Sequence, residues 1–329
     1  MTTLISGACG LIGSELAHEC VKRGQKVIAV DNLSGGDRKN LPEGVMFFCE
    51  DICNQHGMEW IFNAIKPDFV IHAAAMAAEN LSHNCRSFTY SNNLVGSTNV
   101  INLCVRHRVK LMMNLSSIAI YGHASGVFRE EDVTTPSDPY GIAKFAVELD
   151  LRAAHEFFND FNYITFRPHN VVGVRQNLSD ASRNVLSIFI KQYLTMKPFT
   201  IFGDGSQTRS FTPVKSIVPI MVDSMTNPIS WNNEFNIGTD NSLSVLALAA
   251  MVNPYHPIEY LPARKECVHA HCDHAKLHRF FGVPNEAPLA ELIDEMTNAA
   301  RTMDLNKVTP FPKIEIEEGM PEIWKQHIK

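Results

Sequence analysis

The feature that most constrains the fold is a unit at the N-terminus in which a strand, a glycine-rich turn, a helix and a second strand follow one another. The apolar run Thr2–Ser6 predicts a buried strand. Three glycines follow it at regular spacing, namely Gly7, Gly10 and Gly13. A helix is predicted from this turn to about Arg23, and the strand Lys26–Val30 then ends at Asp31. Such a unit brings a backbone close to a pyrophosphate at a helix N-terminus, so it predicts a dinucleotide-binding domain.

The acidic residue at the end of the second strand bears on the choice of dinucleotide. Asp31 can accept hydrogen bonds from adenosine ribose hydroxyls, whereas its charge would repel a 2′-phosphate, and no Arg immediately follows it. This favours NAD over NADP. A tight turn that binds no ligand is the alternative for the glycines. Asp51, after the third predicted strand Val45–Cys49, could contact the adenine amine or only cap a helix.

Strands and helices alternate through the first half of the chain. Further strands are predicted at Phe69–His72, Lys110–Leu115 and Tyr163–Arg167, and helices at Met58–Ile65, from Asn93 and from Pro139. Alternation of this kind predicts an α/β fold with a Rossmann-type, doubly wound parallel sheet. In such sheets the ligands bind at the carboxyl ends of the strands.

A tyrosine and a lysine four residues apart stand near the start of the helix predicted from Pro139. Asp138 can cap this helix, and Pro139 suits its first position. On a helix, Tyr140 and Lys144 lie on one face, and a Lys cation beside a phenol favours the phenolate, which can act as a general base. A chance pair on a surface helix is the alternative. The stripe predicted to be buried consists of Ile142, Phe145, Ala146, Leu149 and Ala153.

The second half of the chain has a different pattern of predicted helices and strands. From about Asn177 the predicted segments are shorter, and Pro and Gly are more frequent. The predicted elements there are Val185–Met196, Thr200–Phe202, Lys215–Thr226, Val245–Met251, Ala275–Phe281 and Leu289–Arg301. We therefore predict a dinucleotide-binding domain with the catalytic residues at 1–176, a smaller C-terminal α/β substrate lobe mainly at 177–301, and a docked tail at 302–329. This division leaves room for the chain to cross between the lobes.

Charge and composition exclude several classes of partner. The 329 residues carry a net charge of −6 and no basic tract, so neither nucleic acid nor an anionic membrane is expected. No apolar run approaches transmembrane length, and no signal peptide is predicted before the first strand. The eight cysteines are scattered among apolar neighbours, which predicts reduced, buried thiols in a cytoplasmic protein.

Several ordered blocks of sequence, together with Ser117 and the Tyr140–Lys144 pair, resemble the extended short-chain dehydrogenase/reductases. More narrowly, the chain resembles nucleotide-sugar enzymes of the UDP-glucose 4-epimerase type. The blocks are Gly7–Gly13, His72–Ala75, Asn93–Ser97, Ser116–Gly122, Arg167–Gly173, Phe202–Arg209 and Asn236–Gly238. They cover nearly the whole chain. The resemblance implies an NAD-dependent enzyme that acts on a nucleotide-diphosphate sugar.

The resemblance also implies roles for individual residues. Ser117 would hydrogen-bond the reacting hydroxyl, Tyr140 would be the base, and Lys144 would hold the nicotinamide ribose. The implied cofactor-binding residues are Gly7, Gly10, Leu11, Ile12, Gly13, Asp31, Asn32, Asp51, Ile52, Ala73, Ala74, Ala75, Asn93, Tyr140 and Lys144. The implied substrate-binding residues are Ser117, Asn170, Asn184, Arg209 and Arg264. For Ser117 a strand-end cap, and for Asn170, Arg209 and Arg264 an ordinary surface position, are the alternatives.

The implied reaction is 4-epimerisation by transient oxidation at the sugar C4 and return of the hydride to the other face. A 4-dehydrogenase or 4-ketoreductase with net turnover of NAD(H) would use the same residues, and a non-catalytic dinucleotide-binding protein is a further alternative. Ser117 is followed by Ile118 and Ala119 and not by the Asp-Glu pair of the related dehydratases, so loss of water is not expected.

The resemblance has departures that affect the substrate side. Val174, Ser210 and Lys215-Ser216 stand where the related enzymes usually have a proline, an acid and an acid pair. Because of these departures, the resemblance does not define the detailed geometry of the substrate site.

Two further expectations concern metals and assembly. Cys267, His269 and His271 alternate, and Cys272, His274 and His278 lie nearby, but the spacing fits no strong zinc pattern, so no metal is expected. The related enzymes pair through the helix after Asn93 and the helix of Tyr140, which implies a homodimer.

Overall fold

The computed structural model describes residues 1–123, 126–180, 182, 184–263 and 269–328. Its helices, in chain order, are α1 (Leu11–Lys22), α2 (Gln55–Ile65), α3 (Glu79–Ser82), α4 (Arg86–Tyr90), α5 (Gly96–Arg106), α6 (Pro139–Phe157), α7 (Val185–Leu194), α8 (Val214–Ser224), α9 (Val245–Val252), α10 (Ala275–Phe281) and α11 (Leu289–Ala300). Its strands are β1 (Thr2–Ser6), β2 (Lys26–Asp31), β3 (Met46–Cys49), β4 (Phe69–His72), β5 (Leu111–Leu115), β6 (Gly126–Phe128), β7 (Tyr163–Pro168), β8 (Val171–Val172), β9 (Phe199–Phe202), β10 (Thr208–Ser210), β11 (Thr212–Pro213), β12 (Glu234–Ile237), β13 (Ser242–Ser244), β14 (Ile258–Leu261) and β15 (His269–Cys272).

The centre of the fold is a seven-stranded parallel sheet with the order β12-β7-β5-β4-β1-β2-β3. Apolar residues of α1, α8 and α10 pack on one face, and apolar residues of α2, α5 and α6 pack on the other. A parallel sheet that is covered on both faces by helices is the doubly wound arrangement. The predicted fold class is confirmed.

A second, smaller lobe is built around the helices α7, α9 and α11 and the strands β9 and β14. A four-stranded sheet with the order β13-β10-β15-β6 lies beside it. The chain crosses between the lobes in both directions. The strand β6 comes from the first half of the sequence, whereas α8 and β12 come from the second half and complete the large sheet and its cover.

The helix α6 begins as the sequence predicts. The Asp138 carboxylate accepts a hydrogen bond from the Gly141 backbone N–H at 2.9 Å, and Pro139 occupies the first turn. The predicted buried stripe is wrong, because Ile142, Leu149 and Ala153 are exposed. The buried apolar residues are instead Ala143, Val147, Leu151 and Ala154. The helix has two apolar faces, and the face that carries Tyr140 and Lys144 is the one turned inward.

Two other helices begin differently from the sequence-based prediction. The helix α2 starts three residues earlier than predicted, where the Asn54 side chain caps it by accepting from the Gly57 N–H at 3.3 Å. Asp51 is therefore not the helix cap. The long helix predicted from Asn93 is a π-helical turn over Ser91–Val95 that continues into α5.

The tail after α11 docks on the first lobe near α3 and α4. Phe311 and Trp324 pack against Ala78, Leu81 and Cys85. The Glu315 carboxylate accepts hydrogen bonds from the backbone N–H groups of Ser87 and Phe88 at 3.0 and 3.3 Å, at the start of α4. Acceptors at this position satisfy helix N–H groups that have no partner within the helix.

Two expectations from the composition concern membrane-spanning helices and the burial of the cysteines. Among the residues described, no helix is both long and apolar enough to cross a membrane. The seven described cysteines are free thiols, but Cys49 and Cys53 are exposed, so the prediction that the thiols are buried is wrong at these two positions.

Candidate active site

A long cleft of about 1420 Å³ opens at the carboxyl edge of the large sheet. The residues that line it include Gly7, Asp31, Ala73, Ser117 and Asn170, which follow or end β1, β2, β4, β5 and β7. Pockets for one small ligand usually measure roughly 300–1,000 Å³. The larger cleft has room for two ligands placed end to end.

The glycine turn at one end of the cleft leaves its backbone open to a ligand. Gly7 has a φ of +69°, and a Cβ there would lie 2.5 Å from the Ala74 backbone nitrogen. A Cβ at Gly13 would lie 2.1 Å from the Gly7 carbonyl oxygen. Gly10 is the cap residue of α1 and supplies no side-chain acceptor to the helix N–H groups. The first turn of α1 also has no acidic residue, so this helix end suits an anionic phosphate.

The carboxylate of Asp31 lies at the end of β2 and is held by the backbone. It accepts hydrogen bonds from the Cys9 N–H at 2.9 Å and the Leu33 N–H at 2.7 Å. Burial raises the pKa of Asp31, and these two hydrogen bonds act in the opposite direction. Asp31 and Asn32 line the cleft. The fixed carboxylate is therefore available to hydroxyl donors.

Two predicted cofactor-binding residues, Asp51 and Asn93, are not among the residues that line the cleft, whereas Leu11, Ile12, Ile52 and Ala73–Ala75 are. Asp51 accepts from the Asn32 side chain at 2.8 Å and from the Cys53 N–H at 2.8 Å. The amide of Asn93 accepts from the Met76 N–H at 2.8 Å and donates to the Met76 carbonyl at 3.0 Å. In this structure Asn93 therefore fixes the backbone of Met76, the residue that follows Ala75.

Ser117, Tyr140 and Lys144 all line the cleft and are almost completely buried. The Ser117 hydroxyl accepts from the Ala119 N–H at 3.1 Å, and Lys144 Nζ donates to the Leu115 carbonyl at 2.6 Å. Lys144 Nζ lies 5.8 Å from the centre of the Tyr140 ring. Burial lowers the pKa of Lys144 to about 8, although the charge of Glu148 opposes this. The structure thus brings together a hydroxyl, a phenol and an ammonium group at the end of β5.

The predicted substrate residues Asn170, Asn184 and Arg209 line another stretch of the same cleft. Asn184 caps α7 and donates to the Val171 carbonyl at 3.0 Å. Arg209 Nη1 donates to the Thr208 carbonyl at 2.9 Å. The remaining predicted residue, Arg264, lies outside the described residues.

Two residues that line the cleft were missed by the sequence reasoning. Ser116 lines the cleft, and its buried hydroxyl has no hydrogen-bond partner among the described residues. The Asn177 amide donates to the Gly35 carbonyl and to the Thr309 hydroxyl, both at 3.1 Å, and so joins the loop after β2 to the tail. Ser116 could have been found from its position directly after β5. No local feature of the sequence identifies Asn177.

Two of the residues considered for a zinc site, His271 and His274, contact other side chains. Cys267 lies outside the described residues. His271 approaches Thr208 Oγ1 at 3.3 Å, and His274 lies 2.6 Å from an Asp240 carboxylate oxygen. Within the described ranges, no group of three His, Cys, Asp or Glu side chains is arranged to hold a metal ion.

Comparison with known proteins agrees with this geometry. The family model described as the NAD dependent epimerase/dehydratase family matches residues 3–238. A UDP-glucose 4-epimerase of Mycolicibacterium smegmatis is 28% identical over 303 residues, which cover 88% of this chain and 96% of that protein.

Solved structures are similar over most of the chain. The crystal structure of a UDP-glucose 4-epimerase from Thermotoga maritima with UDP-glucose has a TM-score of 0.86 and 30% identity, and the match covers 92% of this chain and 99% of that one. The UDP-glucose 4-epimerase of Thermus thermophilus in complex with NAD has a TM-score of 0.85 and 26% identity, with the same coverage of 92% and 99%.

Proposed function

The chain belongs to the NAD dependent epimerase/dehydratase family, and on this premise we propose that it is a nucleotide-sugar 4-epimerase. It is an enzyme, and its cofactor is NAD. The observation that carries the proposal is that the glycine turn, Asp31, Ser117, Tyr140 and Lys144 all line the same cleft. The similar enzymes from Thermotoga maritima and Mycolicibacterium smegmatis support 4-epimerisation as the reaction.

The residues present fit NAD. The open N-terminus of α1 would hold the pyrophosphate. Gly7 and Gly13 allow the glycine turn to pack closely, because a Cβ at either position would collide with the backbone. Asp31 would accept from the adenosine ribose hydroxyls. Lys144 would hold the nicotinamide ribose. When bound, NAD supplies a site that accepts a hydride and later returns it.

The chain's own catalytic work is proton transfer and orientation. We propose that Tyr140 takes the proton of the sugar 4-hydroxyl, with the Ser117 hydroxyl bridging between them. The Lys144 ammonium group favours the phenolate of Tyr140. Tyr140 later gives the same proton back to the sugar O4, so the reaction needs no external acid or base.

The substrate side of the cleft is proposed to bind the nucleotide diphosphate. Asn170, Asn184 and Arg209 lie along it, and Arg209 suits a bidentate contact to a phosphate. Arg264 stays a prediction. The division into a cofactor domain at 1–176, a substrate lobe mainly at 177–301 and a tail at 302–329 stays a proposal as well.

We also propose that the enzyme is a homodimer. The helix α6 packs beside α4, α5 and the π-helical turn, and this surface leaves Val95, Ile142 and Leu149 exposed at 53%, 39% and 48%. A second copy of the same surface would cover these apolar side chains in a four-helix interface. A cytoplasmic location is proposed from the free thiols.

A direct assay tests the function. The purified protein is incubated with UDP-sugars and with GDP-sugars without added cofactor, and the sugar products and the absorbance of reduced nicotinamide are followed. We expect an epimerised sugar with no net reduction of NAD. Stoichiometric reduced NAD with a 4-keto product would replace the proposal with a net oxidoreductase, and no reaction with any sugar would contradict it.

A further inference from the structure

A carboxylate and two buried imidazoles form a chain behind the turn that carries Asn170. His169 Nε2 lies 3.1 Å from His274 Nε2, and His274 Nδ1 lies 2.6 Å from Asp240 Oδ1. Both histidines are 2% exposed, whereas the Asp240 side chain is 66% exposed. We call Asp240, His274 and His169 the histidine chain. It joins the end of β7 to the start of α10 and to the loop after β12.

The protons of the histidine chain are arranged by simple donor and acceptor rules. A carboxylate only accepts, so His274 Nδ1 carries a proton and donates it to Asp240. One further proton lies between the two facing Nε2 atoms. Burial and the neighbouring His274 lower the pKa of His169 to about 3, with the Ser210 backbone and Asp240 acting in the opposite direction. The two Nε2 atoms are therefore each other's hydrogen-bond partners. Loss of either ring leaves the remaining buried Nε2 without this partner.

The space for His169 is provided by a glycine. A Cβ at Gly238 would lie 2.0 Å from His169 Nε2, so any other residue at position 238 would displace the imidazole. Gly238 directly follows β12 and stands two residues before Asp240. The same short loop thus makes room for His169 and supplies the carboxylate at the other end of the chain.

The residue next to His169 has an uncommon backbone conformation. Asn170 has a φ of +40°, which lies in the left-handed region; among residues other than glycine, mostly Asn, Asp and His adopt it. Its carbonyl accepts from the Thr212 N–H at 3.1 Å. A backbone in this region persists only where its surroundings hold it. His169, whose imidazole is held by the histidine chain, directly precedes Asn170, and the Thr212 N–H holds the Asn170 carbonyl.

We propose that the histidine chain positions Asn170 for the nucleotide sugar, so that His169 and His274 are positioning residues for substrate binding. The proposal rests on the function proposed above for Asn170. It assigns no proton transfer to the two imidazoles. A group that only positions a binding residue contributes equally to substrate and transition state, so its loss raises KM and leaves kcat almost unchanged.

The test uses the NAD-containing enzyme and the variant His274→Phe. Phenylalanine keeps an aromatic ring against His169 but cannot form the hydrogen bond. We expect KM for UDP-glucose and Kd for UDP, measured by calorimetry, to rise by about tenfold, because a misplaced Asn170 loses a hydrogen bond to the nucleotide, and one hydrogen bond is usually worth about this much. The value of kcat and the NAD content should stay within about twofold.

Three further variants serve as controls. His155→Phe removes a half-buried imidazole that hydrogen-bonds the Phe161 carbonyl at 2.6 Å outside the cleft, and it should leave KM unchanged. Asp240→Asn keeps an oxygen acceptor for His274, so it should raise KM less than Asp240→Ala does.

The outcomes separate this proposal from the proposed function. A His274→Phe enzyme with wild-type KM and Kd overturns the positioning role. A joint fall of kcat, NAD content and Tm in His274→Phe overturns it too, because the histidine chain would then only stabilise the fold. If the wild type binds UDP-glucose without epimerising it, the proposed function fails and the Kd values still decide this inference. A wild type that binds neither UDP nor UDP-glucose overturns this inference, and the assay with GDP-sugars then decides the proposed function.

Discussion

Glu148 and Arg167 form a bidentate ion pair inside the protein, and this pair ties α6 to β7. Arg167 donates from Nε and Nη2 to the two carboxylate oxygens of Glu148 at 3.0 and 2.7 Å. The side chains are 0% and 1% exposed. Burial acts to lower the pKa of Arg167, but the hydrogen bonds and charge of Glu148 outweigh it and raise the pKa. The pair fixes the helix of Tyr140 against the strand that leads to Asn170.

Breaking this ion pair on one side should destabilise the fold strongly. Glu148→Leu leaves the Arg167 guanidinium buried without its carboxylate, although Arg167 keeps its hydrogen bonds to the Tyr121 hydroxyl and the Glu130 carbonyl. The expected loss is about 3–5 kcal/mol in the free energy of unfolding. Urea denaturation followed by circular dichroism measures it. The double variant Glu148→Leu, Arg167→Met should recover most of the loss, because it removes both charges. A double variant as unstable as the single one would contradict this reasoning.

The role of Tyr140 is tested by removing only its hydroxyl. Tyr140→Phe keeps the ring, so folding and NAD binding should survive, while turnover should fall by about 10²–10⁴, the usual effect of a positioned acid–base group. Steady-state kinetics with the true substrate and the NAD content of the purified variant measure the two properties. Ser117→Ala should cost less if Ser117 only bridges. Wild-type turnover of Tyr140→Phe would refute the mechanism.

Lys144 should have opposite effects on activity and stability. In the folded protein burial lowers its pKa from 10.5 to about 8, so the folded state binds this proton less tightly than the unfolded state. Below pH 8 the fold must bury a charge, at a cost on the order of 3 kcal/mol, and this cost fades as the pH rises from 8 to 10.5.

The variant Lys144→Met should therefore lose turnover and gain stability. The gain in the free energy of unfolding should be largest below pH 8 and vanish near pH 10.5. Denaturation of NAD-free wild type and variant across this pH range gives the comparison. A gain that grows with pH would show that the burial of the ammonium group is not its cause.

Asp31 should determine the preference for NAD. Asp31→Ala removes the acceptor for the ribose hydroxyls and the charge that would repel a 2′-phosphate, so NAD should bind more weakly and NADP relatively better. Asp31→Asn is the matched control, because its oxygen can still accept from the Cys9 or Leu33 backbone. Binding of both cofactors by fluorescence titration measures the ratio. A wild type that prefers NADP by about tenfold, or 1.4 kcal/mol, would contradict the role of Asp31.

The homodimer should depend on the exposed apolar side of α6. Ile142→Lys combined with Leu149→Lys places two charges in the proposed interface, so the variant should sediment as a monomer at micromolar concentration. Tyr255→Lys is the control, since Tyr255 is 94% exposed and belongs to the other lobe. A wild-type enzyme that is itself monomeric at this concentration would contradict the proposed homodimer.

Features that depend on neighbours in sequence were predictable. Gly7, Gly10 and Gly13 mark a turn, and Asp138 and Pro139 mark the start of α6, because each acts within a few residues of its own position. Ser117 was assigned from the resemblance to a known family, and the order of a parallel sheet accounts for its place in one cleft with Tyr140 and Lys144.

Features that depend on distant contacts were not predictable. Periodicity finds an apolar stripe, but it does not say which of two stripes on α6 meets the sheet, and so Ile142 and Leu149 were misassigned. The contact between His169 and His274 joins residues 105 positions apart. Nothing local to either histidine signals its partner.

The order of strands in the large sheet has a consequence for synthesis on the ribosome. The strand β12 pairs with β7, yet it is translated only after the segment that holds α7 and α8. Until Ile237 has emerged, β7 presents a free edge of backbone N–H and C=O groups, which is a template for pairing with other chains. A nascent chain that stops between Pro168 and Glu234 would therefore be a client of chaperones and proteases, and not a smaller cofactor-binding protein.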